Sequence, residues 1–380
     1  MTHKMFSSEH ARKVRRLRIL SGRLNRMIEN GSFYALPFWK RYGLVRRVKR
    51  LYGSLVGPLS PAALRVVLAG AAAIVIGACA PAGGDDGSVA DNPSFAGAAQ
   101  PFDLDAVTSQ GAPAFADIGE DGDADLFAGA GGEGAGAPVL YSVNTGSSIS
   151  PSFSALSPYP GLTSYNLYGI VPVLVPIDGD ADFDLFVGHL ADGFPTLEYY
   201  RNDSGTFVSD DTIPGLPSGG GPDDRALTAT FVDIDGDGDL DAFVSRTWYY
   251  VAYETYYGTE IRYYENTGTR ASPAFTNRGP SFGLDSPSDY GAFPTFVDID
   301  ADGDFDAFVG DNYGSIQFFR NTGTPTAPAF AAAQANPFGL SAVANPPAVP
   351  AFVDIDADGD FDLFVGDGIG NIWFFENTNL

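Results

Sequence analysis

The chain has 380 residues, 44% of them hydrophobic and 13% aromatic, which is enough to build a buried core and excludes wholesale disorder. Its net charge of −25 is unevenly divided: residues 1–78 carry fifteen Lys and Arg against Glu9 and Glu29, a net of +13, while residues 79–380 carry seven Arg and 45 acidic residues, a net of −38. A surface at −38 repels nucleic acid and anionic lipid, so no DNA or RNA partner is expected for the acidic part. Such a charge calls for cations. With carboxylates far outnumbering the single Cys and three His, those cations are oxygen-seeking ones.

Residues 1–78 read as a targeting segment. Basic clusters at 12–18 and 46–50 precede an uncharged apolar run, 66–78, which ends in Ile76-Gly77-Ala78-Cys79. This ending resembles the lipobox of bacterial lipoprotein precursors, and the resemblance implies that Cys79 is the lipidated first residue of the mature protein. The alternative is an uncleaved apolar anchor, although the run is shorter than the roughly 20 residues that span a bilayer. Both readings attach the protein to a membrane and export the acidic part, which then lies in the cell envelope on the periplasmic or extracellular side. Residues 79–92 are small, polar and rich in Gly and Asp, as in a flexible tether.

From residue 93 to 380 one module recurs five times. Its acidic loops begin at positions 117, 176, 233, 298 and 354, spaced 59, 57, 65 and 56 apart. Each loop lies between two short apolar strands, as in Ala351-Phe352-Val353 and Leu363-Phe364-Val365-Gly366. An aromatic strand follows, such as Ile372-Trp373-Phe374-Phe375, then an Asn-Thr-Gly turn such as Asn321-Thr322-Gly323, then a Pro-x-Phe element such as Pro328-Ala329-Phe330. These elements predict an all-β propeller of five four-stranded blades. The last module stops without its Pro-x-Phe, while a spare copy, Pro93-Ser94-Phe95, precedes the first. That circular shift predicts a ring closed by the N-terminal strand entering the last blade.

In the last module the loop reads Asp354-Ile355-Asp356-Ala357-Asp358-Gly359-Asp360-Phe361-Asp362, with carboxylates at positions 1, 3, 5, 7 and 9 and Gly at 6. A hard cation taking 6–8 oxygens fits such a loop, and calcium is the expected ion. Zinc would want nitrogen or sulfur ligands that the loop lacks. Position 12, Val365, is apolar, so the loop is not an EF-hand. Loop, following strand and Asn-Thr-Gly turn together resemble the FG-GAP/VCBS repeats, calcium-binding propeller repeats of integrin α-subunits and bacterial surface proteins. The resemblance implies ligation by the side chains at 1, 3, 5 and 9 and the carbonyl at 7. Those are Asp233, Asp235, Asp237 and Asp241 with Asp239 in module 3, Asp298, Asp300, Asp302 and Asp306 with Asp304 in module 4, and Asp354, Asp356, Asp358 and Asp362 with Asp360 in module 5. Module 1 offers Asp117, Asp121 and Asp125 but has Gly119 at position 3; module 2 offers Asp178, Asp180 and Asp184 but has Pro176 at position 1. Three full sites and two weaker or empty ones are expected.

Residues 79–380 hold one His, His189, no Lys and no cysteine besides Cys79, so most nucleophile and base constellations are absent and no enzyme is expected. His189 is read as a turn residue without a catalytic role. Module 3 breaks the repeat with an aromatic hairpin extension containing Trp248, Tyr249, Tyr250, Tyr253, Tyr256 and Tyr257. Such clusters suit sugar or protein recognition, or else cover a neighbouring blade. The leading expectation is a calcium-binding surface adhesion lipoprotein with an extracellular protein or glycan ligand. The alternatives are a structural protein that self-associates head to tail by strand exchange and, third, a polysaccharide-acting enzyme.

Overall fold

Short runs of Val, Ile and Phe cut by Gly, Asn and Pro pair as antiparallel strands throughout. The computed structural model describes residues between Pro93 and Thr378, apart from 98–101, 103, 105–106, 108–110, 120, 131–138, 148–149, 163–168, 181, 192–193, 211–212, 222–223, 251–255, 285–290, 301, 325, 357 and 359. The targeting segment, the tether, Cys79 and Tyr253 therefore lie outside the described residues, as do the side chains of Tyr249, Tyr250, Tyr256 and Tyr257. Among the described residues there is no helix, and so none long and apolar enough to cross a membrane.

Nineteen strands form five antiparallel sheets among those residues. Blade 1 holds β1 (Ala112–Ala116), β2 (Asp125–Gly129), β3 (Val139–Ser142) and β4 (Ser157–Pro158); blade 2 holds β5 (Val171–Val175), β6 (Asp184–Ala191), β7 (Phe194–Asn202) and β8 (Phe207–Ser209). Blade 3 holds β9 (Asp224–Val232), β10 (Asp241–Tyr250), β11 (Tyr256–Asn266) and β12 (Phe275–Pro280); blade 4 holds β13 (Ala292–Val297), β14 (Asp306–Asp311), β15 (Ile316–Phe319) and β16 (Gln334–Ala335). Blade 5 supplies β17 (Val349–Val353), β18 (Asp362–Gly366) and β19 (Ile372–Phe375). Its fourth strand is the N-terminal Pro-Ser-Phe segment. Phe95 bridges Asn377, Ala96 N–H donates to the Glu376 carbonyl at 2.8 Å, and Thr378 N–H donates to the Ser94 carbonyl at 2.8 Å.

The same Asn-to-Phe pairing recurs in the other blades, as Asn144 with Phe153, Asn202 with Phe207, Asn266 with Phe275 and Asn321 with Phe330. One detail differs from expectation. In blades 1 and 4 the Pro-x-Phe element makes only that bridge, and the ladder itself forms four residues later, in β4 and β16.

Strands β2, β14 and β18 are buried along their whole length, because both faces of a blade pack on neighbours. Five apolar clusters fill the gaps between successive blades. The one between blades 5 and 1 joins Phe364 and Ile372 to Leu126 and Ala128. A Phe from the second strand packs at a tilt against one on the first strand of the next blade: Phe186 against Phe231 with ring centroids 4.5 Å apart, Phe243 against Phe296 at 4.4 Å, Phe308 against Phe352 at 4.8 Å and, across the closure, Phe364 against Phe115 at 4.5 Å. The first strands β17, β1, β5, β9 and β13 touch in that order around a closed ring.

Candidate metal centres

Every acidic loop links the first strand of a blade to its second, so all five lie on one face of the ring. The loops curl through short side-chain turns. Asp235 and Asp237 accept from the N–H groups of Asp237 and Asp239 at 3.2 and 3.1 Å, Asp302 accepts from Asp304 N–H at 3.1 Å, and Asp356 and Asp358 accept from Asp358 and Asp360 N–H at 3.2 and 2.9 Å. Gly238 and Gly303 at position 6 take φ of 107° and 112°, a left-handed reversal that a side chain would resist.

This curl brings three carboxylates together in each of blades 3, 4 and 5: Asp233, Asp235 and Asp237; Asp298, Asp300 and Asp302; and Asp354, Asp356 and Asp358. One oxygen from each lies within 4.8 Å of the others. Ligands held 2.3–2.6 Å from one calcium ion stand at most about 5 Å apart, so the spacing fits a shared hard cation. Oxygens are left over as well. Asp233 Oδ1, Asp239 Oδ1, Asp304 Oδ1 and Asp306 Oδ2 are buried without a hydrogen-bond donor in the protein. Burial raises these carboxyls, with neighbouring carboxylates adding to it: Asp233 and Asp239 to about 6, Asp304 to about 7. A partly buried oxygen-only cluster with raised carboxyl pKa values is where a divalent cation displaces protons.

The incomplete loops look different. In blade 1, Asp117 spends both oxygens on the N–H groups of Asp121 and Gly122, at 3.1 and 2.9 Å. In blade 2, Pro176 offers no side-chain oxygen at the first position, while Asp178 and Asp180 accept from Asp180 and Asp182 N–H as their counterparts do in blades 3 and 5.

The ninth loop residue has a second task that its position in the motif does not reveal. In all five blades its Oδ1 accepts the backbone N–H of the turn asparagine: Asp125 from Asn144 at 2.8 Å, Asp184 from Asn202 at 2.8 Å, Asp241 from Asn266 at 2.7 Å, Asp306 from Asn321 at 2.7 Å and Asp362 from Asn377 at 2.8 Å. The asparagine amide oxygen in turn accepts from the turn, as Asn321 does from Gly323 and Ala329 N–H at 3.0 Å each. Asp125 and Asp241 also accept a tyrosine hydroxyl on Oδ2, from Tyr141 and Tyr263. The ninth aspartate is therefore a clasp between loop and turn, with at most one oxygen left for an ion.

One sequence reading changes. His189 is not in a turn: it lies inside β6, buried, with Nε2 3.2 Å from Glu198 Oε1, while Tyr200 hydroxyl donates to Glu198 Oε2 at 2.7 Å. Its strand runs three residues past Gly188, because β7 extends to pair with His189, Leu190 and Ala191. Trp248, the described aromatic of the blade 3 extension, is half-buried; its indole leaves no room for a Cβ at Gly258, and Arg246 lies 5.8 Å over its ring. It packs against its own hairpin. A cavity of about 300 Å³ beside blade 2 is lined by Tyr199, Glu198, Asp210, Ile213 and Leu216, away from the three clusters.

No curated protein matches the chain. Among solved structures, the GH43_1 enzyme from Xanthomonas citri complexed with xylose is 12% identical, with 71% of this chain and 88% of that chain covered and a TM-score of 0.41. A thermostable family-43 glycoside hydrolase is 11% identical over 72% and 90% of the two chains, TM-score 0.40, and the Dos1 propeller is 11% identical over 70% and 67%, TM-score 0.28. Likenesses this distant assign no activity. The family model for the FG-GAP-like repeat matches residues 138–244 and 298–365, which include the acidic loops of blades 2 to 5. The chain thus matches the FG-GAP-like repeat over those residues, and its fold is a five-bladed β-propeller.

Proposed function

We propose that this is an exported, lipid-anchored propeller whose blades are held by calcium and which serves as a binding or adhesion platform rather than an enzyme. The observation that carries the calcium part is the set of three oxygen-only clusters, joined in the loops of blades 3 and 4 by buried carboxylate oxygens that no hydrogen-bond donor of the protein reaches. Asp233, Asp298 and Asp354 would hold the ion from the end of the first strand, with Asp235, Asp300 and Asp356 and then Asp237, Asp302 and Asp358 closing around it. The ion supplies charge neutralisation and cross-links each loop; the protein supplies the curl that presents its ligands. Against catalysis stands His189, the single histidine of the exported part, which is buried beside Glu198.

Binding is assigned to the blade 3 hairpin, which leaves the ring on the face opposite the acidic loops. Calcium measured by equilibrium dialysis on the full chain should reach about three ions per chain, and fewer than two would remove the metal reading. A variant with residues 249–257 replaced by a two-residue Asn-Gly turn should keep that calcium but lose whichever targets the full chain binds on arrays of glycans and extracellular proteins. Retained binding to the same targets would take the hairpin out of the account.

A further inference from the structure

The residue just before the turn asparagine is Val143, Arg201, Glu265, Arg320 and Glu376 in blades 1 to 5. The clasp by the ninth aspartate holds this position beside the acidic loop. In blade 4 the contact is direct: Arg320 Nη1 pairs with Asp300 Oδ2, a carboxylate only 2% exposed. The Arg320 side chain is 30% exposed, and its guanidinium lies over the Phe318 ring, 5.8 Å from the centroid. Its charge eases Asp302, Asp304 and Asp306, opposing the burial that raises them. In blades 3 and 5 the same position acts in the opposite sense: Glu265 raises Asp235 and Asp239, and Glu376 raises Asp358, each adding to burial. Arg201 of blade 2 turns away, to Asp203 at 3.2 Å and Asp210 at 3.0 Å.

Arg320 does not saturate its loop. Asp304 Oδ1 and Asp306 Oδ2 stay buried without a donor, in residues 9% and 2% exposed, so the loop still has oxygens for an ion. We propose that Arg320 is a built-in counter-cation that makes the blade 4 loop the weak calcium site of the three. This rests on the calcium reading above. An incoming ion must either displace the guanidinium from Asp300 or bind with one oxygen fewer beside a positive charge. Both lower affinity, whereas the glutamates of blades 3 and 5 favour the ion. Arg320 also keeps the blade 4 loop partly neutralised when calcium is scarce, so the ring has one blade that holds its loop at low calcium.

The test is calorimetric titration of calcium into the decalcified full chain. The expected result is two tight sites and one at least about tenfold weaker, tenfold being 1.4 kcal/mol. Arg320→Gln should bring the third site into the tight class, Arg320→Lys should leave it weak, and Glu376→Arg should move the blade 5 site into the weak class. Three equal sites in the wild type, an unchanged weak site in Arg320→Gln, or a tightened one in Arg320→Lys would overturn the proposal while leaving calcium binding intact. Absence of calcium binding at every loop would overturn the calcium reading and this proposal together. Should Arg320→Gln fail to fold, Glu376→Arg, made at an exposed residue, decides: an unchanged blade 5 site would overturn the proposal.

Discussion

Carboxylates in this ring do two kinds of work, and single substitutions separate them. The ninth loop aspartate is pinned to the turn by one oxygen and raised by burial: Asp241, Asp306 and Asp362 each to about 8. Asp306→Ala removes the acceptor of Asn321 N–H and should cost about 1–3 kcal/mol with or without calcium. Asp306→Asn keeps an acceptor and cannot ionise, so in chelator at pH 8.5 its melting temperature should equal or exceed the wild type's, while its gain from calcium shrinks. The same raised values set a pH dependence. Their contribution to the metal-free fold is complete below the unfolded value of about 4 and is lost as pH rises through 8. A chelated chain should therefore melt higher at pH 5.5 than at pH 8.5, and calcium should reverse the order, since protons compete for the same oxygens. Asp367 is the contrast. Hydrogen bonds from Asn371, Trp373 and the Ile369 and Asn371 backbone N–H groups outweigh its burial and lower its pKa, so its contribution persists through neutral pH and fades only in acid below about 4.

At the scale of strands, glycine rather than the acidic motif spaces the blades. Gly366, at the end of β18, lies so close to the next blade that an added Cβ would stand 1.3 Å from the Gly111 carbonyl oxygen; Gly129 and Gly310 face Ile170 and Ala348 carbonyls at 1.9 and 2.1 Å in the same way. Gly366→Ala should cost about 3 kcal/mol or more, lowering the melting temperature on the order of 10 °C, because the obstacle is backbone. The repeated glycine was visible in the sequence at 129, 188, 310 and 366, but its reason was not, since the partner carbonyl belongs to another module. Strand order, the five loops and the closure were legible because each rests on local alternation, turn chemistry and counting. The Asn–Asp clasp, the Arg320 pair and the burial of His189 depend on which side chains meet across strands, which spacing within one module does not reveal.

The ring closes through the N-terminal segment as well as the apolar cluster between blades 5 and 1. Phe95 meets Asn377 and Phe352, its amide donates to the Phe338 carbonyl at 2.9 Å, and Phe364 meets Phe115 across the seam. Removing residues 93–97 leaves β19 as an open edge, and the shortened chain should lose thermal stability and gain concentration-dependent association. Since Ser94 pairs with Thr378 at the loop end of blade 5, the chain enters the ring on the face that carries the acidic loops. The central claim is that these loops bind calcium and that calcium holds the ring together. Melting the full chain in 1 mM calcium and in excess chelator tests it most directly. Three sites well above their dissociation constants should raise the melting temperature on the order of 10 °C or more; the same melting temperature in both solutions would contradict the account.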